Sequence, residues 1–171
     1  MKNLILINGT MGVGKTATCE ELQKLLPRNV FLDGDWCWMS NPFVVTDETK
    51  AMVRGNIIHL LNSFIACSEY KNIIFCWVMH AQEILDDVCG ALNLDDYNVR
   101  KFTLTCSEQA LTERLSRDIG EGVRKPDIIQ RAVKRLRLYD TMDTVKIDVS
   151  EITAKQAAER IIGQIRTRDA E

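Results

Sequence analysis

The six cysteines of this 171-residue chain form no CxxC pair, and its two histidines, His59 and His80, lie far apart in sequence. A zinc site of ordinary ligand spacing is not written here, and Cys19, Cys37, Cys67, Cys76, Cys89 and Cys106 read as reduced packing residues. Charge of one sign is lacking too: 22 Lys and Arg face 24 Asp and Glu, a net charge of −2. That balance argues against a nucleic-acid partner or an acidic membrane surface. No apolar run approaches the roughly 20 residues of a membrane span. The chain enters an apolar stretch almost at once, so the expectation is no signal peptide and a cytoplasmic location. No repeat, low-complexity tract or linker divides it. A single domain over 1–171 is expected, long enough for a full hydrophobic core.

What is present centres on Gly9-Thr10-Met11-Gly12-Val13-Gly14-Lys15-Thr16, which fits the phosphate-binding pattern G-x-x-x-x-G-K-[ST]. Before it, Leu4-Ile5-Leu6-Ile7-Asn8 reads as a buried strand. After it, Ala17 to Leu26 has helical composition. Strand, loop and helix in that order are the context the pattern requires. Glycines let successive backbone N–H groups point at phosphate oxygens, and the helix adds its own free amides and dipole. The Lys15 ammonium reaches toward the β- and γ-phosphates of ATP, and the Thr16 hydroxyl joins the coordination of Mg²⁺. Thr18, one turn on, belongs to the expected nucleotide-binding set.

The remaining chain alternates strands and helices. Strands are expected at Val30–Leu32, Asn72–Val78, Val99–Thr105 and Thr144–Val149. Trp36–Val45 reads as loop. A helix opens at Thr46 or Asp47 with Val53, Ile57, Leu60 and Phe64 as its apolar stripe. A short helix covers Ala81–Leu92, and Ser107 caps another. Pro126 suits the first turn of a helix running to about Asp140, with Ile129, Val133 and Leu136 inward. Thr153 and Gln156 form a capping box for the last helix, which buries Ala157, Ile161 and Ile165. This alternation predicts an α/β domain of three layers, a parallel sheet between helices. Ligands of such folds gather at the carboxyl ends of the strands. The site candidates are therefore the phosphate loop, Asp33-Gly34-Asp35, Met79-His80, Cys106-Ser107 and Ser150.

The third strand ends without an acid, whereas the second ends with two. Residues i and i+2 of an extended segment point the same way, so Asp33 and Asp35 both face the phosphates. One can hold metal-bound water while the other accepts the proton of an attacking hydroxyl. The absence of N-K-x-D disfavours a GTPase, and the absence of an acid after strand three disfavours the common ATPase types.

With Gly9–Thr16, Asp33-Gly34-Asp35, Glu113-Arg114-Leu115-Ser116-Arg117-Asp118 and the closing Lys146–Ser150 with Thr153, the chain resembles the small P-loop kinases. That group spans nucleoside, shikimate, gluconate and adenylyl-sulfate kinases and chloramphenicol phosphotransferase. The resemblance implies a five-stranded parallel sheet in order 2-3-1-4-5 and a mobile lid. It makes Asp33 the magnesium-linked carboxylate and Asp35 the residue gripping the acceptor hydroxyl. It also implies that an arginine at Arg54 holds an anionic group of the acceptor. Arg124 precedes Lys125 and Pro126 where shikimate kinases have a direct Arg-Pro pair, which leaves Arg124 and Arg117 as alternatives.

A lid over about 114–126 gives Arg114, Arg117 and Arg124 a purpose, since guanidinium groups stabilise charge on a transferred phosphoryl group and exclude water. Arg117 and Arg124 are the expected catalytic pair beside Lys15 and Asp35, and Arg114 an expected nucleotide contact. Gly120 and Gly122 would supply hinge freedom. Arg131, Lys134, Arg135 and Arg137 read as the wet face of the next helix. Trp36, Trp38, Met39 and Phe43 line an acceptor pocket or anchor their own loop. Trp36 and His80 complete the expected acceptor set. The expectation is thus a kinase using ATP and Mg²⁺ on a small-molecule acceptor, monomeric or homodimeric. A nucleotide or polynucleotide kinase on the same fold, and a regulatory ATPase or switch, are the alternatives.

Overall fold

The computed structural model describes residues 2–169. Five strands form one sheet: β1 (Lys2–Asn8), β2 (Asn29–Asp33), β3 (Asn72–Cys76), β4 (Tyr97–Thr105) and β5 (Val145–Asp148). Their spatial order is β2-β3-β1-β4-β5 and every neighbouring pair is parallel. This is the three-layer α/β architecture in the expected order. Among the described residues the helices are α1 (Lys15–Leu25), α2 (Asp47–Ala66), α3 (Gln82–Gly90), α4 (Glu108–Gly120), α5 (Ile128–Leu136) and α6 (Ala154–Asp169). Among the described residues no helix is long and apolar enough to cross a membrane. All six cysteines are free.

The alternation of side chains along β1 builds both halves of the core. Ile5 and Ile7 join Phe31, Ile74 and Phe102 beneath α1 and α6. Leu4 and Leu6 join Leu32, Ile73 and Phe75 beneath α2 and α3. A central parallel strand covered on both faces must be apolar on both, and β1 and β3 are. A third cluster, Leu111, Leu115, Ile128 and Ala132, binds α4 to α5 above the sheet. The strand registers align Asp33 with Cys76, Ile7 with Cys76 and Asn8 with Thr103, so the carboxyl ends form one edge.

Local signals hold where they are short in range. Thr46 caps α2 in a reciprocal box with Thr49, Ser107 accepts from the Ala110 amide, and Thr153 and Gln156 exchange hydrogen bonds at the start of α6. Three readings shift. α2 buries Val53, Ile57 and Leu61, at steps of four, and leaves Leu60 and Phe64 only partly buried. Trp36–Val45 is not all loop, because Gly34–Trp38 winds into a 3₁₀ turn. α5 begins at Ile128, past Pro126, and buries Ile128 and Ala132, with Ile129, Val133 and Leu136 partly buried around them.

The expected lid changes most. Arg114–Gly120 is helix, and only 121–127 connects α4 to α5. Gly122 is not a free hinge. Its φ of +73°, with Gly122 N–H donating to Ile119 O and Val123 N–H to Asp118 O, is the six-residue Schellman stop of α4. A side chain there would resist that φ, which is why glycine occupies it.

Candidate active site

The loop between β1 and α1 is held from several sides. α1 begins at Lys15 with Gly14 as a left-handed N-cap and no side-chain cap, so its first amides are uncommitted. A Cβ at Gly12 would lie 2.4 Å from a Leu115 methyl, so α4 packs directly on loop backbone. Thr10 Oγ1 donates to Ala132 O at 2.8 Å, which ties α5 to the loop. Val13 and Thr10 are buried, and Met11 packs against the α4–α5 cluster. Arg114 donates to Val13 O at 3.1 Å, to Val149 O and to Ser150 O at 3.3 Å. It is therefore a clamp between the loop and the end of β5, not part of a lid. Arg114, Thr18, Val13, Gly14 and residues at the start of α6 line a cavity of about 170 Å³ beside the loop.

Lys15 folds over this loop, its Nζ donating to Gly9 O and Thr10 O at 3.0 Å each. Burial pulls its pKa below the ordinary lysine range, while the Asp35 and Asp33 carboxylates pull the other way. Thr16 Oγ1 donates to Asp33 Oδ2 at 2.6 Å, and Asp33 Oδ1 accepts from the Asp35 amide at 3.0 Å. Asp33 is buried and so caps the 3₁₀ turn while facing the loop. A hydroxyl and a carboxylate oxygen this close are a hard-oxygen donor pair of the kind Mg²⁺ accepts. Among the described residues no group of three or more His, Cys, Asp or Glu is placed to hold a metal.

Asp35 stands beside this pair. Partial shielding of its carboxylate pushes its pKa above the usual carboxylate range, and the Asp33 charge adds to that. Lys15, a hydrogen bond from Trp77 and the charge of Arg124 act in the opposite sense. Trp77 had no role in the sequence beyond strand three. Its indole lies flat against Gly34: a Cβ there would meet Trp77 Cγ at 2.5 Å and Cβ at 2.9 Å. Glycine at position 34 is what lets the ring approach Asp35. No local pattern announces this, because residues 34 and 77 meet only through strand pairing.

The arginines divide. Arg124 pairs with Asp118 at 2.9 Å, and its charge reaches both Lys15 and Asp35. Arg117 is exposed on α4. Arg54 is directed away from the expected acceptor role, into an exposed ion pair with Asp87 of α3 at 2.7 Å. Arg135 corrects the wet-face reading of α5: it is half-buried, and after burial its charge is the second cause that lowers the pKa of His80. His80, half-buried in the segment after β3, is thereby biased toward its neutral form. Asn8 also went unread. Its Nδ2 donates to Met79 O at 3.1 Å, holding a residue whose φ is +32°, and its Oδ1 accepts from Thr103 at 2.5 Å. Trp36 packs edge-on to Phe31 of β2, with ring centroids 5.1 Å apart.

A phosphate loop with uncommitted amides, a partly buried lysine over it and two acids on the adjoining strand end define a nucleotide-binding domain of the P-loop class. The sequence profile of the AAA domain family matches residues 5–161, and the chain belongs to that family. No curated protein matches it. Among solved structures it is similar to the Deinococcus radiodurans tunicamycin resistance protein, with TM-score 0.73, 21% identity and 96% of each chain covered. A gluconokinase from Sinorhizobium meliloti 1021 aligns with TM-score 0.70 and 18% identity over 97% of this chain and 92% of its own. A shikimate kinase from Acinetobacter baumannii, in complex with shikimate, aligns with TM-score 0.67 and 19% identity over 100% and 97%. The fold is that of the small P-loop kinases.

Proposed function

We propose that the chain is a phosphotransferase that moves the γ-phosphoryl group of ATP to a hydroxyl of a small molecule. The observation that carries this reading is the meeting of Asp33 with Thr16 at 2.6 Å while Asp35 stands beside Lys15. Two acids at one strand end divide the labour: one serves the nucleotide side, the other the acceptor. A hydrolytic switch needs no second acid of this kind.

In this reading the loop amides and Lys15 hold the β- and γ-phosphates. Thr16 and Asp33 would hold Mg²⁺, which neutralises charge on the phosphate oxygens. Asp35 accepts a hydrogen bond from the acceptor hydroxyl. As the acceptor oxygen bonds to the γ-phosphorus, the bond from that phosphorus to the β–γ bridging oxygen breaks, ADP leaves, and the hydroxyl proton passes to Asp35. Its raised pKa makes it a better proton acceptor than an ordinary aspartate. Arg124, on the 121–127 connection, supplies charge to the transferred group, with Arg117 of α4 as the alternative. Arg114 and Thr18 border the nucleotide through the cavity beside the loop.

The names of the similar structures support a small hydroxylated acceptor over a nucleotide. The commitment of Arg54 to Asp87 removes the cation best placed for a nucleoside monophosphate. ATP turnover with and without a panel of hydroxyl compounds tests the reading. A kinase turns over ATP in step with its acceptor, whereas turnover indifferent to every compound would favour a regulatory ATPase.

A further inference from the structure

The segment that follows Asp35 in the chain carries exposed apolar side chains. Met39 is 83% exposed and Phe43 65%. Val44, Val45 and Met52 are exposed with them. All five lie on the segment that leaves the 3₁₀ turn carrying Asp35 and enters the first turns of α2. Val123, 68% exposed, tops the connection that carries Arg124, so apolar surface stands on both segments that adjoin the two catalytic candidates. A second observation concerns the floor. Trp38 packs on the core under α2 together with Trp77, and Phe43 lies over it with centroids 5.2 Å apart. The Trp38 indole nitrogen is buried and has no hydrogen-bond partner among the described residues. A finished loop neither leaves large apolar side chains in water nor strands a buried donor. The segment offers no free cation for a compact anionic acceptor, since Arg54 is paired with Asp87 and Lys50 with Asp47.

We infer that the acceptor is an uncharged alcohol with a sizeable apolar body, which lies along Met39, Phe43 and Val45 while its hydroxyl meets Asp35. The inference rests on the phosphotransferase reading for the role of Asp35, but its apolar half stands on the exposed segment alone. Continuity with the catalytic acids selects this occupant over a second copy of the chain.

The test uses straight-chain primary alcohols from ethanol to octanol as a ruler, with gluconate and shikimate as compact anionic comparators. Phosphoryl transfer from ATP is measured for each, and binding is followed separately by tryptophan fluorescence, which requires no turnover. A buried methylene is worth ~0.8 kcal/mol, so affinity is expected to rise about fourfold per added methylene until the segment is covered. The double variant Met39→Ser, Phe43→Ser is expected to flatten the series. Leu25→Ser, an exposed leucine at the far end of α1, leaves it unchanged. A rising binding series without phosphoryl transfer upholds an apolar ligand on this segment, but sinks the phosphotransferase reading and with it the role of that ligand as acceptor. A flat series overturns the inference, and transfer to gluconate or shikimate alongside it would leave the phosphotransferase reading standing. A double variant that turns a dimer into a monomer in sedimentation and spares the alcohol series assigns the surface to a second copy, and also overturns the inference.

Discussion

The two sides of the candidate site are built to different standards. On the nucleotide side the polar side chains around the loop have partners within the protein, and the first amides of α1 are left uncommitted. Lys15 rests on two carbonyls, Thr10 reaches α5, and Arg114 clamps three carbonyls. On the acceptor side large apolar residues stand in water and the Trp38 N–H is buried without a partner among the described residues. The first region is preorganised, so binding there costs little reordering. The second gains its order from what it binds. A fold that keeps the phosphate machinery rigid can vary the acceptor by changing one exposed segment.

The sharpest way to break this contrast is to remove the nucleotide-side cation. Lys15→Ala should lower kcat by about two to three orders of magnitude, the scale of losing one preorganised electrostatic contact. Its Tm should not fall, because the ammonium is buried at a cost. A collapse in Tm instead would mean that Lys15 is structural. Asp35→Asn should cost about 10²- to 10⁴-fold in acceptor-dependent turnover while leaving ATP affinity near the parent value by calorimetry. Full activity in that variant would remove Asp35 from the role of base.

Gly34→Ala probes the seam between the two sides. The new Cβ would collide with Trp77 near its own backbone attachment, where the ring has little freedom to give. A loss of about 1–3 kcal/mol in denaturant unfolding is expected, with a raised KM for the acceptor.

The pH dependence has a defined sign. The base must be ionised, and burial with the Asp33 charge holds the Asp35 pKa high. The acid limb of kcat should therefore lie above the ordinary carboxylate range, with activity rising as pH rises through it. Trp77→Phe keeps the ring and removes a donor to the carboxylate, so that limb should move to still higher pH. An unmoved limb would limit Trp77 to packing. For stability the sign is opposite to that of a salt-bridged aspartate. A carboxyl whose folded pKa is raised contributes less stability as pH climbs from its unfolded value through its folded one.

The smallest effect is expected at Arg54. Its pair with Asp87 is half-exposed on both sides, so Arg54→Ala should cost at most about 1 kcal/mol of stability and leave acceptor KM within about twofold. A tenfold rise would show that Arg54 leaves Asp87 for the acceptor, and the contrast between the two sides would need redrawing.

Much of the nucleotide side was legible because it is local. The loop, its flanking strand and helix, and the spacing of Asp33 and Asp35 follow from periods of two and from backbone geometry within eight residues. The caps at Thr46, Ser107 and Thr153 are equally short in range. Along the chain Arg114 reads as a lid cation and nucleotide contact and Arg135 as a solvent-facing one, and only the docking of α4 and α5 on the loop decides where each is held. Gly122 looked like a hinge because composition does not distinguish a flexible glycine from one that ends a helix.

The sequence by itself determined a P-loop domain with two acids at the end of the second strand, since each element is specified by neighbours along the chain. Tertiary structure alone decided which side chains tune that site. Trp77 reaches Asp35 across the β2–β3 pairing, Asn8 fixes Met79 across β1–β3, and Arg114 joins the loop to β5. These contacts span 36 to 101 positions of chain. Strand register and helix docking create them, and no local period encodes them.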